Sequence, residues 1–164
     1  MKVLKFVLMA GLGALASACN NPGNAVQKPD NIVQLEPGNT LLIEQGQIVY
    51  TSTCASCHGV NLEGQADWKR RKPNGVLPAP PHDESGHTWH HTDQVLFDLT
   101  KYGVQKYAGA DYISDMPAYE DILTDTEIIA VLSYIKSQWP ENVRARHDGV
   151  NKQYEAIRKQ QAGN

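Results

Sequence analysis

The sequence predicts an all-α fold of three main helices and long loops, on three observations. Three stretches carry apolar residues at helical spacing with capping residues at their ends. No βαβ pattern runs through the chain. The segments between the helices are long and broken by glycine and proline, which suits loops wrapped around a bound group better than a packed sheet.

The first helix is expected from Asn39 to about Thr53, with Leu42, Gly46, Val49 and Tyr50 on one face. Glycine weakens a helix interior, so Gly46 needs a structural reason, and close approach by another helix supplies one. The chain then runs irregularly from Asn61 to Ser85, through Gly64, Pro73, Gly75, Pro78, Pro80 and Pro81. Thr92 opens the second helix as N-cap, with Val95, Leu96 and Leu99 inward and Gly103 as its stop. Thr124 and Glu127 form a capping box ahead of the third, where Ile128, Leu132, Ile135 and Trp139 recur on one side before Pro140. Leu132 and Tyr134 are the expected neighbours of Gly46 and Tyr50.

At the end of the first helix stand Cys54, Ala55, Ser56, Cys57 and His58, followed by Gly59. Two cysteines at i and i+3 with histidine next is the pattern by which a c-type haem is attached. On one helical turn both sulfurs point the same way and can close thioethers, while the adjoining imidazole supplies a proximal iron ligand. A thioredoxin-like dithiol would need a βαβ setting, and a zinc site a second Cys/His pair, whereas the only other cysteine is Cys19.

The expected second axial ligand is Met116. Of three methionines, Met1 and Met9 fall in the expected signal peptide, leaving one thioether in the remainder of the chain. Met116 sits in a loop rather than on an apolar helical stripe, and Pro117 fixes the backbone after it.

The segment from Pro80 to His91 holds four of the six histidines: His82, His87, His90 and His91. It is a candidate secondary metal site, and one of these imidazoles is a rival for the distal iron position. The competing reading has these residues capping helices and lining the haem edge, with Trp89 packing on the porphyrin or donating to a propionate. Lys69 to Lys72 form a basic run suited to solvent, with anionic lipid, propionates or an acidic partner as sharper options. Acids from Asp111 to Glu127 flank Met116 and could present an acidic rim to a basic redox partner.

Residues 1–18 read as a signal peptide: Lys2 and Lys5, an apolar run from Phe6 to Ala16 too short to span a bilayer, and small residues before Cys19. Leu15 to Cys19 resembles a lipoprotein lipobox, with Ala16 where a large apolar residue is usual, which implies acylation of Cys19 and a membrane-anchored periplasmic protein. The alternative is cleavage after Ala18 and release as a soluble periplasmic protein. Residues 19–37 are expected to be a flexible tether, 38–140 the haem domain and 141–164 a polar extension, either a helix laid on the domain or a frayed tail. Loss of the leader lowers the basic count from 15 to 13 against 18 acids, a formal charge of −5, which argues against a nucleic-acid partner.

Taken together, Gly46 and Tyr50 ahead of the Cys54 to Gly59 motif, then Met116, Pro117, Ala118 and Tyr119, then the Thr124 to Trp139 helix, resemble class I monohaem c-type cytochromes of the bacterial mono- and dihaem-variant type. The resemblance covers about 38–140. It implies one covalently bound haem c, an N-terminal and a C-terminal helix crossing near Gly46, and a backbone carbonyl, that of Pro80, accepting a hydrogen bond from His58. It also implies a one-electron carrier serving redox partner proteins rather than an enzyme. A haem-based gas or redox sensor and an electron-transfer subunit of an oxidoreductase are the alternatives.

Overall fold

The computed structural model describes residues 33–162. The leader, Cys19 and most of the expected tether lie outside the described residues. Within them every regular element is helical: α1 Thr40–Val49, α2 Ala55–His58, α3 Asp93–Tyr102, α4 Gln105–Ala108, α5 Asp125–Ser137 and α6 Glu141–Ala162. None of these helices is long and apolar enough to cross a membrane.

Asn39 caps α1 through its side chain, which accepts from the Leu42 amide. The helix does not stop at Val49. It widens into a π turn over Tyr50–Cys54 and runs on as α2, so the Cys54 to His58 motif is the last turn of the first helix. Gly46 on α1 faces the backbone of α5: a Cβ built there would collide with the Ala130 carbonyl and crowd Tyr134 Cβ. The expected crossing is thus present, with Ala130 and Tyr134 at the contact rather than Leu132. Tyr50 lies against Tyr134, their ring centroids 5.5 Å apart. Val49, Tyr50, Ile128, Val131, Leu132, Ile135 and Trp139 are buried together, and each large apolar side chain there contributes roughly 1.5–3 kcal/mol by leaving water.

The caps of α3 and α5 form as read: Thr92 Oγ1 accepts from the Val95 amide at 3.2 Å, and the Thr124/Glu127 capping box is complete. The inward face of α3 differs from the expectation. Leu96, Phe97 and Thr100 are buried, while Val95 and Leu99 are only half-buried. The stripe is rotated because Asp93, at the start of α3, is itself turned inside.

The chain joins the domain before residue 38. Leu35 is buried, its amide donating to Asp93 Oδ2 at 2.9 Å, and the amides of Val33 and Glu36 reach Gln94 Oε1 and Ser133 Oγ. The last residues of the expected tether are therefore strapped across α3 and α5. The extension is a 22-residue helix whose first half docks, with Val143 and His147 buried. Asp93 binds this helix too: Asn151 Nδ2 donates to its Oδ1 at 3.0 Å and His147 Nε2 stands 3.3 Å away. Lys136 Nζ completes the cluster, 2.8 Å from Asp148 and 3.9 Å from Asp93.

Two predictions follow from this packing. Gly46→Ala must separate two backbones in contact, and should cost about 2 kcal/mol of stability as overpacking does, seen as a lowered melting temperature of the haem-loaded protein. Burial, opposed by Asp93 and reinforced by Lys136, holds the His147 imidazole below its ordinary 6.5. The folded state therefore binds this proton less readily than the unfolded chain, and stability falls as pH drops through that value. His147→Leu should flatten the decline in melting temperature between about pH 7 and 5.

Candidate functional site: the haem attachment turn

Because the motif is a helix terminus, its side chains are placed by helical geometry alone. Cys54 and Cys57 are both free thiols, the first half-buried and the second exposed. Burial, then the neighbouring Cys57, pushes the Cys54 thiol up to about 11. His58 is buried at 7 % exposure, and its Nδ1 lies 2.8 Å from the Pro80 carbonyl oxygen. A carbonyl can only accept, so Nδ1 carries the proton and Nε2 is left with the lone pair that a metal needs. Burial lowers the His58 proton affinity, with the Pro80 contact working the other way.

The Pro80 carbonyl is held in place by the loop around it. Gly64 packs on the Pro80–Pro81 peptide so closely that a Cβ would strike the Pro81 nitrogen. The Gln65 amide donates to the Ala79 carbonyl at 2.9 Å, and the Gln65 side-chain oxygen accepts from the Ala79 amide at 3.1 Å. Behind the motif, the Tyr50 hydroxyl donates to the Gly59 carbonyl at 2.8 Å and pins the exit of the helix.

Met116 lies half-buried in the loop between α4 and α5, its amide donating to Ser114 Oγ at 3.1 Å. The Tyr119 amide returns to the Thr100 and Lys101 carbonyls, at 3.1 and 3.0 Å, which ties this loop to the end of α3. The Tyr119 phenol is buried, and its pKa is raised by that burial and then by the proximity of Cys54 and Cys57.

Trp89 occupies the short 3₁₀ turn Thr88–His90. Its indole N–H donates to the Glu84 carbonyl at 3.3 Å, its ring stacks on His90 at 3.6 Å, and Arg146 of α6 lies over it at 5.7 Å. The other histidines separate as well. His87 stacks on Trp68 at 5.3 Å and meets His91 edge-on, and among the described residues no group of three or more His, Cys, Asp or Glu is arranged to hold a metal ion. His82 stacks face-on against His58, with ring centroids 3.9 Å apart.

The residues fit a covalently bound haem: two unpaired thiols and an imidazole with one free nitrogen share a single helical turn. An all-helical domain built around that turn defines a haem-binding protein of the c type. The cytochrome c family model matches residues 43–139, more than half of the 164-residue chain, and the chain belongs to that family. No curated protein and no solved structure matches it. Membership supports haem-based electron transfer and a covalently bound haem c. The match ends before α6.

The sequence marks His82 only as one of four candidate histidines in its segment and gives no direct sign that it stacks on His58. The available signal was its place two residues after Pro80, the residue singled out as the acceptor for His58. Tyr50→Phe removes the hydroxyl that pins Gly59 and should cost about 1 kcal/mol, measured by denaturant unfolding of the haem-loaded protein.

Proposed function

We propose that the protein is a one-electron carrier, not an enzyme, with His58 and Met116 as the two axial ligands of a single haem c joined through Cys54 and Cys57. The observation that carries this reading is the attachment turn itself, whose imidazole keeps Nε2 free because Nδ1 is committed to Pro80. When bound, the haem supplies an iron that alternates between ferric and ferrous states.

The chain's own residues do the rest. Pro80 fixes the tautomer of His58 and raises its basicity as a ligand. Ser114 and Pro117 brace the backbone on either side of Met116, and the Tyr119 anchor to α3 holds that loop while the charge on the iron changes. A thioether in the second axial position raises the reduction potential and leaves no open place for a substrate.

The leader pattern in residues 1–18 and the cysteine at position 19 support export to the bacterial periplasm and attachment to the membrane through an acylated Cys19. Redox proteins of that compartment are then its donors and acceptors.

The oxidised protein should show the weak near-infrared sulfur-to-iron band, and Met116→Ala should abolish it while leaving the haem attached. Ready binding of carbon monoxide by the reduced wild type would mean an open position and a sensor instead. Mass spectrometry of the purified protein should find one haem and acyl chains on Cys19, and Cys19→Ser should move the protein from the membrane to the soluble fraction.

A further inference from the structure

The His58 ring has a freedom that one hydrogen bond does not remove. Rotation about the Cβ–Cγ bond of histidine has a broad profile, so no rotamer preference sets the ring plane. The Pro80 carbonyl fixes the tautomer and one direction in that plane. The face of the ring is covered by His82, 3.9 Å away between centroids and tilted by only 20°.

His82 is itself unusually well held for a loop residue. Its Nδ1 pairs with Thr88 Oγ1 at 2.8 Å, and Thr88 is buried. Its amide donates to the Leu62 carbonyl at 2.7 Å, and its carbonyl accepts from Trp139 Nε1 at 2.7 Å. Trp139 is buried and meets the fully buried His147 of α6 edge-on at 5.1 Å. The second imidazole is therefore braced at ring, amide and carbonyl, and the last brace leans on α6.

We propose that His82 is a positioning residue that sets the ring plane of the iron-binding His58. The inference rests on His58 as an axial ligand and is independent of Met116. An apolar side chain would fill the same space, but only a ring fastened at its own nitrogen resists rotation of the ring stacked on it. In a ferric low-spin haem, the plane of an axial imidazole selects which iron orbital carries the unpaired spin. Its orientation is therefore readable without any electron-transfer assay.

The test uses the haem-loaded protein and three variants. His82→Leu keeps the bulk and removes the stacked ring, His82→Phe restores a ring without the nitrogen, and Thr88→Val releases the His82 ring without altering its size. His82→Leu should shift the largest g-value in the EPR spectrum and change the spread of the haem-methyl proton shifts. Thr88→Val and His82→Phe, which both leave the stacked ring unfastened, should do so in the same direction by less. Unchanged g-values and methyl shifts in His82→Leu and Thr88→Val would overturn the proposal. If His82→Leu fails to mature, Thr88→Val decides alone, an unchanged spectrum overturning the role and a shifted one supporting it. A wild type without the near-infrared band overturns the Met116 assignment only, and the same comparison still decides His82. A wild type without covalent haem overturns both.

Discussion

The close crossing of α1 and α5 at Gly46 is the constraint on which the rest of the structure depends. With no Cβ at that point, the α1 backbone approaches the Ala130 carbonyl, and the two helices bury Val49, Tyr50, Ile128, Val131 and Leu132 between and around them. Because α1 passes through one π turn directly into the Cys54 to His58 turn, fixing α1 also fixes the thiols and the imidazole. The position of the chemistry is thus inherited from a helix contact that touches none of its atoms.

What the helices cannot supply comes from the long loop. Its backbone folds back on the motif, bringing the Pro80 carbonyl to one edge of His58 and the His82 ring to its face. The fold of this loop depends on local backbone conformations that few residues adopt: Gly64 sits at φ 68° against the Pro80–Pro81 peptide, and Leu62 at φ 70° turns its carbonyl toward the His82 amide. Left-handed backbone at a bulky residue such as Leu62 costs about 1 kcal/mol or more. Burial of its side chain and the hydrogen bond its carbonyl accepts offset that cost.

A second centre lies at the start of α3, where the buried Asp93 carboxylate meets the Leu35 amide, Asn151, His147 and Lys136. A buried carboxylate is tolerated only when its charge is met by donors, and here the Leu35 amide and the Asn151 side chain donate, from before α1 and from α6. The cluster therefore fastens the incoming segment and α6 to one helix start. Through Trp139, which meets His147 and donates to the His82 carbonyl, it is linked to the environment of His58.

The amino-acid sequence by itself determined the helical class, the crossing at Gly46, the caps at Thr92 and Thr124 and the attachment turn, because each is encoded within a few residues by spacing or by a capping side chain. The carbonyl of Pro80 was also legible, through family resemblance rather than through any local signal. Tertiary structure alone decided that Asp93 turns inward and rotates the face of α3, that Leu35 belongs to the core, and that α6 docks through a buried histidine beside Val143. It also decided the fate of the histidine-rich segment, sending His82 to His58, His87 to Trp68 and His90 to Trp89. These outcomes hang on contacts between residues far apart in the chain, and a buried polar group carries no periodicity from which its partner can be read.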